Sequence, residues 1–146
     1  MAVQSAYRDA QSTNESKRSA KVYKDLNLNF TKHPVKQTLT PLTDVAAVKR
    51  SVRNLVMYNH YDKPFHPEIG SGVRDLLFEN MTPFVSNTLR KLIEDTITNF
   101  EPRVRLADVA VNPNFDNNQY EVTVEFYIEN SPSELVDMTF NLERIR

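Results

Sequence analysis

The stretch Tyr120-Glu121-Val122-Thr123-Val124-Glu125-Phe126-Tyr127-Ile128-Glu129 decides the architecture. Its residues Tyr120, Val122, Val124, Phe126 and Ile128 alternate with Glu121, Thr123, Glu125, Tyr127 and Glu129. A period of two sends the two sets to opposite faces, so this is a strand with one buried and one solvated side. The following run obeys the same rule, with Val136, Met138, Phe140 and Leu142 set against Asp137, Thr139, Asn141 and Glu143. Upstream, Val104 and Leu106 share one parity and Val109 and Val111 the other, so a third strand carries a bulge between the pairs. The connections 112–118 and 130–133 are too short for crossovers, and the three strands form an antiparallel meander.

N-terminal to the meander the period changes. Thr82 followed by Pro83 starts a helix, because proline lacks the amide hydrogen that a first helical turn leaves unpaired. Val85, Leu89, Leu92, Ile93, Thr96, Ile97 and Phe100 form its apolar stripe, and Glu101-Pro102 ends it. An earlier helix follows an N-cap at Thr43 or Asp44, with Val45, Val48, Val52, Leu55 and Val56 on its stripe and Lys49, Arg50 and Arg53 off it. Asn59-His60 and Pro64 close that helix. Between the two helices, Pro64-Phe65-His66-Pro67-Glu68-Ile69-Gly70-Ser71-Gly72 is a shaped connection into a short helical patch with Val73, Leu76 and Leu77.

From Tyr23 to Phe30, Leu26, Leu28 and Phe30 alternate with Asp25, Asn27 and Asn29, which predicts an N-terminal strand ending before His33-Pro34. Residues 1–21 are rich in Ser, Gln, Asn, Lys and Arg and are expected to be a flexible arm. Arg8, Lys17, Arg18 and Lys21 outweigh Asp9 and Glu15 there, which suits an acidic neighbour; a solvated tail reads equally well. The domain proper is expected to span 22–146. Its class is α+β: an N-terminal strand, two main helices plus a short helix, and a C-terminal three-strand antiparallel meander, with the helices packed on one face of the sheet.

Composition narrows the function. A chain of 146 residues fits one domain, and 18 Lys and Arg against 19 Asp and Glu leave no global field for nucleic acid. No stretch approaches the roughly 18 apolar residues of a membrane span, and the first twenty residues lack a signal-like apolar run, so a soluble protein made in the cytoplasm is expected. Without cysteine there are no disulfides, thiolate metal sites or cysteine nucleophiles, and two glycines cannot build a phosphate-binding loop. His66 and Glu68 make two candidate ligands, which His33 and His60 do not complete, so neither metal nor cofactor is expected.

Three segments are specific: Ala47-Val48-Lys49-Arg50-Ser51-Val52-Arg53-Asn54-Leu55-Val56, the run from Pro64 through Gly70-Ser71-Gly72 to Phe78-Glu79, and Phe100-Glu101-Pro102-Arg103-Val104. Together they resemble the lysozyme-like baseplate wedge protein family of contractile-tailed phages, over roughly residues 23–146. The type VI secretion baseplate subunit is similar. The resemblance implies a virion component at the top of each wedge. It implies partners among other wedge subunits, the tail sheath protein and the tail tube or hub, with six copies around the axis.

It also implies that Glu101, Pro102 and Arg103 lie at wedge-core contacts. The proline sets a sharp exit from the helix, and Arg103 can pair bidentately with a neighbour's carboxylate. An intrachain bridge pinning the helix-strand corner is the alternative. Gly70 and Gly72 permit positive backbone angles or the close approach of another chain, and Arg74 opens the next helical turn. The meander's first or last strand can pair with a partner strand, with Arg144 and Arg146 fixing register against an acidic surface, unless the N-terminal strand covers that edge.

The family's label raises glycoside hydrolysis, which needs two carboxylates about 5 to 9.5 Å apart across a sugar cleft. Glu68, Glu79, Glu94 and Glu101 are candidates only in being acidic, there is no tryptophan, and no catalytic residue is assigned. A cytoplasmic adaptor is the third reading.

Overall fold

The computed structural model describes residues 23–145 apart from 36; the expected arm over 1–21 and the role given to Arg146 lie outside the described residues. Two short strands come first. β1 (Lys24–Asp25) pairs antiparallel with β2 (Leu42–Thr43), Lys24 opposite Thr43 and Asp25 opposite Leu42. The strand expected over 23–30 is therefore corrected to two residues. Asn27 ends it: its Oδ1 accepts from the Asn29 amide at 3.0 Å, its carbonyl accepts from the Phe30 amide at 3.0 Å, and Phe30 takes φ 52°. An asparagine that bonds its own following backbone favours a turn over a ladder. Leu26, Leu28 and Phe30 accordingly stand 56%, 46% and 64% exposed, while Asn27 is buried.

Helix α1 (Asp44–Met57) begins where the Asp44 amide donates to the Tyr23 carbonyl at 2.8 Å and the Asp44 carboxylate accepts from the Tyr23 amide at 3.2 Å. Ala47, Val48, Val52, Leu55 and Val56 form its buried stripe. A short α2 (Val73–Leu76) follows the glycine-bearing connection. Thr82 caps α3 (Pro83–Phe100) as expected, its hydroxyl oxygen accepting from the Val85 amide at 3.2 Å with Pro83 in the first turn. Val85, Leu89, Ile93, Thr96 and Ile97 are its buried face.

The meander is β3 (Val104–Asn114), β4 (Gln119–Ile128) and β5 (Ser131–Glu143), in the order β3-β4-β5 and antiparallel throughout. Val124 sits opposite Val109 on one side and Met138 on the other. The parity change between Leu106 and Val109 is a bulge between Leu106 and Asp108. The strands run longer than their apolar alternation: β3 extends to Asn114 and β5 starts at Ser131, because ladder bonds need no apolar side chain. A second irregularity lies opposite the Tyr127/Ile128 step, where the β5 partners jump from Leu135 to Ser131.

α1 and α3 lie on one face of this sheet. Val48, Val52, Val56, Leu89, Ile93 and Ile97 pack against Val109, Tyr120, Val122, Val124, Phe126, Phe140 and Leu142 in one core. Each such side chain contributes about 1.5–3 kcal/mol when fully buried. β1 pairs with β2 and not with the meander, so among the described residues no strand covers the outer edge of β3 or β5.

Candidate functional site

The Glu-Pro-Arg corner joins the end of α3 to the start of β3. The Glu101 amide still closes the helix on the Ile97 carbonyl at 2.9 Å, and Pro102 then forbids continuation. The turn folds Glu101 inward, to 3% exposure. Arg103 grips its carboxylate bidentately, Nε to Oε1 at 2.6 Å and a terminal nitrogen to Oε2 at 2.8 Å. The Ser51 hydroxyl of α1 donates to the same Oε2. Arg103 also meets Asp25 at 3.4 Å and lies over the Tyr23 ring, 5.5 Å from its centroid.

The corner thus ties together α3, β3, α1 and the β1 segment. Glu101 and Arg103, for which the resemblance implied wedge-core contacts and an intrachain bridge was the alternative, bind each other. Burial opposes charge on Glu101, but the hydrogen bonds from Arg103 and Ser51 and the charge of Arg103 outweigh it and hold the carboxyl below its ordinary value of 4.5. Hydrogen bonding to Glu101 raises Arg103 further above its usual range, so the pair stays ionised. Beside the corner opens a cavity of about 540 Å³, with Leu26, Leu28, Tyr58 and Phe100 on its walls and Arg50 and Lys63 contributing positive charge.

The glycine-bearing connection is shaped by this chain's own backbone. A Cβ on Gly70 would stand 2.5 Å from the Asn59 carbonyl carbon and the His60 nitrogen, so the close approach predicted there is internal. Gly72 has φ +61°. Ser71 between them is buried, and its hydroxyl donates to the Val56 carbonyl at 2.6 Å. The Ser71 oxygen in turn accepts from the Val73 amide at 3.2 Å, so one residue links α1 to the start of α2. Arg74 is exposed beyond it.

At the far end of the sheet, Arg144 is engaged by its own chain. Its Nε donates to the Glu79 carbonyl at 3.0 Å and a terminal nitrogen to Asn80 Oδ1 at 2.8 Å, while the Ile145 amide bonds the Leu77 carbonyl. His66 and Glu68 contact each other at 3.0 Å on the surface, and among the described residues no group of three His, Cys, Asp or Glu is placed to hold a metal.

Ser51, Ser71 and the Tyr23–Asp25 segment were not singled out from the sequence. Ser51 carried a signal: on α1 it falls at helical spacing from Val48 and Leu55, a polar group on a stripe facing the core. Ser71 had only its place between two glycines.

The described residues thus form a small α+β domain, two helices on a three-strand meander with a locked Glu101–Arg103 corner. The same fold occurs in a chain of the sixfold-symmetrised anti-feeding prophage baseplate, with TM-score 0.60, 22% identity and 87% of this chain covering 90% of that one. It occurs also in a putative tail lysozyme from Geobacter sulfurreducens, with TM-score 0.63, 14% identity and 68% of this chain covering 89% of that one. Residues 43–133 match the model of the family described as baseplate wedge protein gp25. The baseplate wedge protein gp25 of Enterobacteria phage T4 is 31% identical over 96 residues, covering 66% of this chain and 73% of that protein. The chain belongs to the baseplate wedge protein gp25 family.

Proposed function

We propose that this chain is a non-catalytic wedge subunit of a contractile tail, which joins the wedge core to the first ring of sheath through subunit contacts and strand pairing. The observation that carries this reading is the family match over 43–133, which includes α1, the glycine connection, the Glu-Pro-Arg corner and most of the meander. The corner is the face toward other wedge subunits. Glu101 and Pro102 hold its shape, and Arg103, whose side chain keeps 23% exposure, presents a guanidinium edge beside the 540 Å³ cavity. Gly70 and Gly72 shape the loop that carries Arg74 toward a second neighbour. Arg144 fixes the sheet end, and an uncovered sheet edge receives a strand of the sheath protein.

Six copies per baseplate, contact with the tube or hub, and synthesis in the host cytoplasm belong to the same reading. Against hydrolysis, Glu101 is locked as a carboxylate by Arg103, Glu94 is paired with Arg90 at 2.8 Å, and Glu68 is paired with His66. Despite its burial, the Glu101 carboxyl is held below its ordinary value by Arg103 and Ser51, and that of Glu68 by backbone and His66 hydrogen bonds, whereas the acid of a glycosidase is raised.

The test is a particle assembled without this chain. Tails are expected to stop at an unsheathed stage; complete, contractile, sheathed tails would refute the proposal. Clearing of a cell-wall suspension by the purified chain, lost on Glu68→Gln or Glu79→Gln, would establish the enzyme instead.

A further inference from the structure

The two-layer fold leaves one face of the meander bare. Tyr120, Val122, Val124 and Phe126 of β4 and Phe140 and Leu142 of β5 are buried in the core under the helices, and the alternate residues point the other way. On that other face Glu121, Asp137, Thr139, Asn141 and Glu143 are exposed, and Thr123, Glu125 and Tyr127 are partly exposed. Among the described residues no helix or further strand is stacked on it.

The ladder sets like charges side by side. Glu125 stands directly opposite Asp137 of β5 on one side and Asp108 of β3 on the other. Cross-strand neighbours have Cβ atoms about 4.5–5.5 Å apart, where equal charges oppose the pairing. Arg90 offsets Asp108 at 2.7 Å, but none of the ion pairs among the described residues engages Glu121, Glu125, Asp137 or Glu143. The cation of this face is Arg105, which lies over the Tyr127 ring, 5.2 Å from its centroid. The carboxylates outnumber it, so the face is acidic and is relieved by cations from another segment.

We propose that this bare face is the docking surface for residues 1–22 of the same chain, with Lys17, Arg18 and Lys21 set against Glu121, Glu125 and Asp137. Those three cations fall within the six positions before Tyr23, with no acid among them. The point of entry is close. The Tyr23 ring centroid lies 5.5 Å from the Arg103 guanidinium, and the Arg103 carbonyl accepts from the Glu129 amide at 3.0 Å, so the segment ends beside the Glu129 end of β4. From Glu129 to Glu125 is about 13 Å along the strand, and six extended residues reach about 20 Å, enough to round the start of β3. The alternative surface, α1, carries Lys49, Arg50 and Arg53 and repels a basic segment. The contact belongs to the isolated chain and stands or falls apart from the wedge reading.

The chain has no cysteine, so Ser19→Cys gives a single attachment point for a nitroxide on the full chain. The amides of Thr123, Glu125, Asp137 and Thr139 are expected to lose more than about half of their NMR intensity at low salt and to regain it near 1 M, where the Debye length is about 3 Å. Glu125→Lys/Asp137→Lys in the labelled chain is expected to abolish the loss. Glu125→Gln/Asp137→Gln, which removes the repulsion between the two strands and adds no charge, is expected to reduce it without lowering the unfolding midpoint.

Intensity lost along α1 or residues 58–69 in place of the sheet would overturn the choice of face. Loss at none of these places would overturn docking itself. Loss that survives high salt and both double variants would overturn the charge pairing. Equal loss in isotope-labelled chains that carry no nitroxide, mixed with chains that do, would make a second copy's segment the occupant and overturn docking within one chain.

Discussion

Ser51 and Glu101 meet across the helix pair: the Ser51 hydroxyl of α1 donates to the Glu101 Oε2 that also accepts from Arg103. A carboxylate with 3% exposure is thus stabilised from both sides, and the angle between α1 and the α3–β3 corner is fixed by a charge that cannot be left alone.

Arg103→Ala leaves that charge with Ser51 as its remaining side-chain donor. Since Arg103 is itself partly exposed, the expected loss is about 2–3 kcal/mol, against about 1 kcal/mol for Ser51→Ala. Denaturant unfolding of the isolated chain measures both; an unchanged midpoint for Arg103→Ala would show that the corner bridge contributes nothing to the fold and would leave Arg103 to assembly alone.

The depressed Glu101 carboxyl predicts an acid limb. A group whose pKa is lower folded than unfolded contributes stability that is full above its unfolded pKa and is lost as pH falls through the folded one. The wild type is therefore expected to lose stability more steeply than Glu101→Gln from about pH 5 downward, with the two curves parallel above it. Unfolding midpoints measured at half-unit pH steps decide it.

Gly70→Ala and Gly72→Ala separate two uses of glycine. The first drives a Cβ to 2.5 Å from backbone and is expected to cost about 3 kcal/mol or more. The second meets only the His60 side chain at 3.6 Å and is expected to cost about 1–2 kcal/mol, from the left-handed backbone alone. Thermal unfolding ranks them, and the reverse order would contradict the internal close approach.

Arg144→Ala removes the clasp on Glu79 and Asn80. Faster exchange of the Ile145 amide, which bonds the Leu77 carbonyl, is expected, with little change in global unfolding because the core is untouched. A large global loss would mean that the sheet end is part of the cooperative core.

What was legible in the sequence, and what was not, divides along range. Periodicity fixes which side chains share a face, so the meander strands, the α1 and α3 stripes, the Thr82-Pro83 start and the bulge after Leu106 could all be read from neighbours a few positions apart. The same rule failed at Leu26, Leu28 and Phe30, where the local bonds of Asn27 compete with pairing and, among the described residues, the β1–β2 ladder ends at Asp25. Distance along the chain hid the rest. That Glu101 turns inward to Ser51 and Arg103, that Gly70 passes against Asn59, that Arg144 closes on Glu79, and that β1 leaves the meander uncovered depend on contacts between remote segments. Those contacts exist only once the helices have packed on the sheet, because a short-range pattern determines which face is apolar but not what stands opposite it.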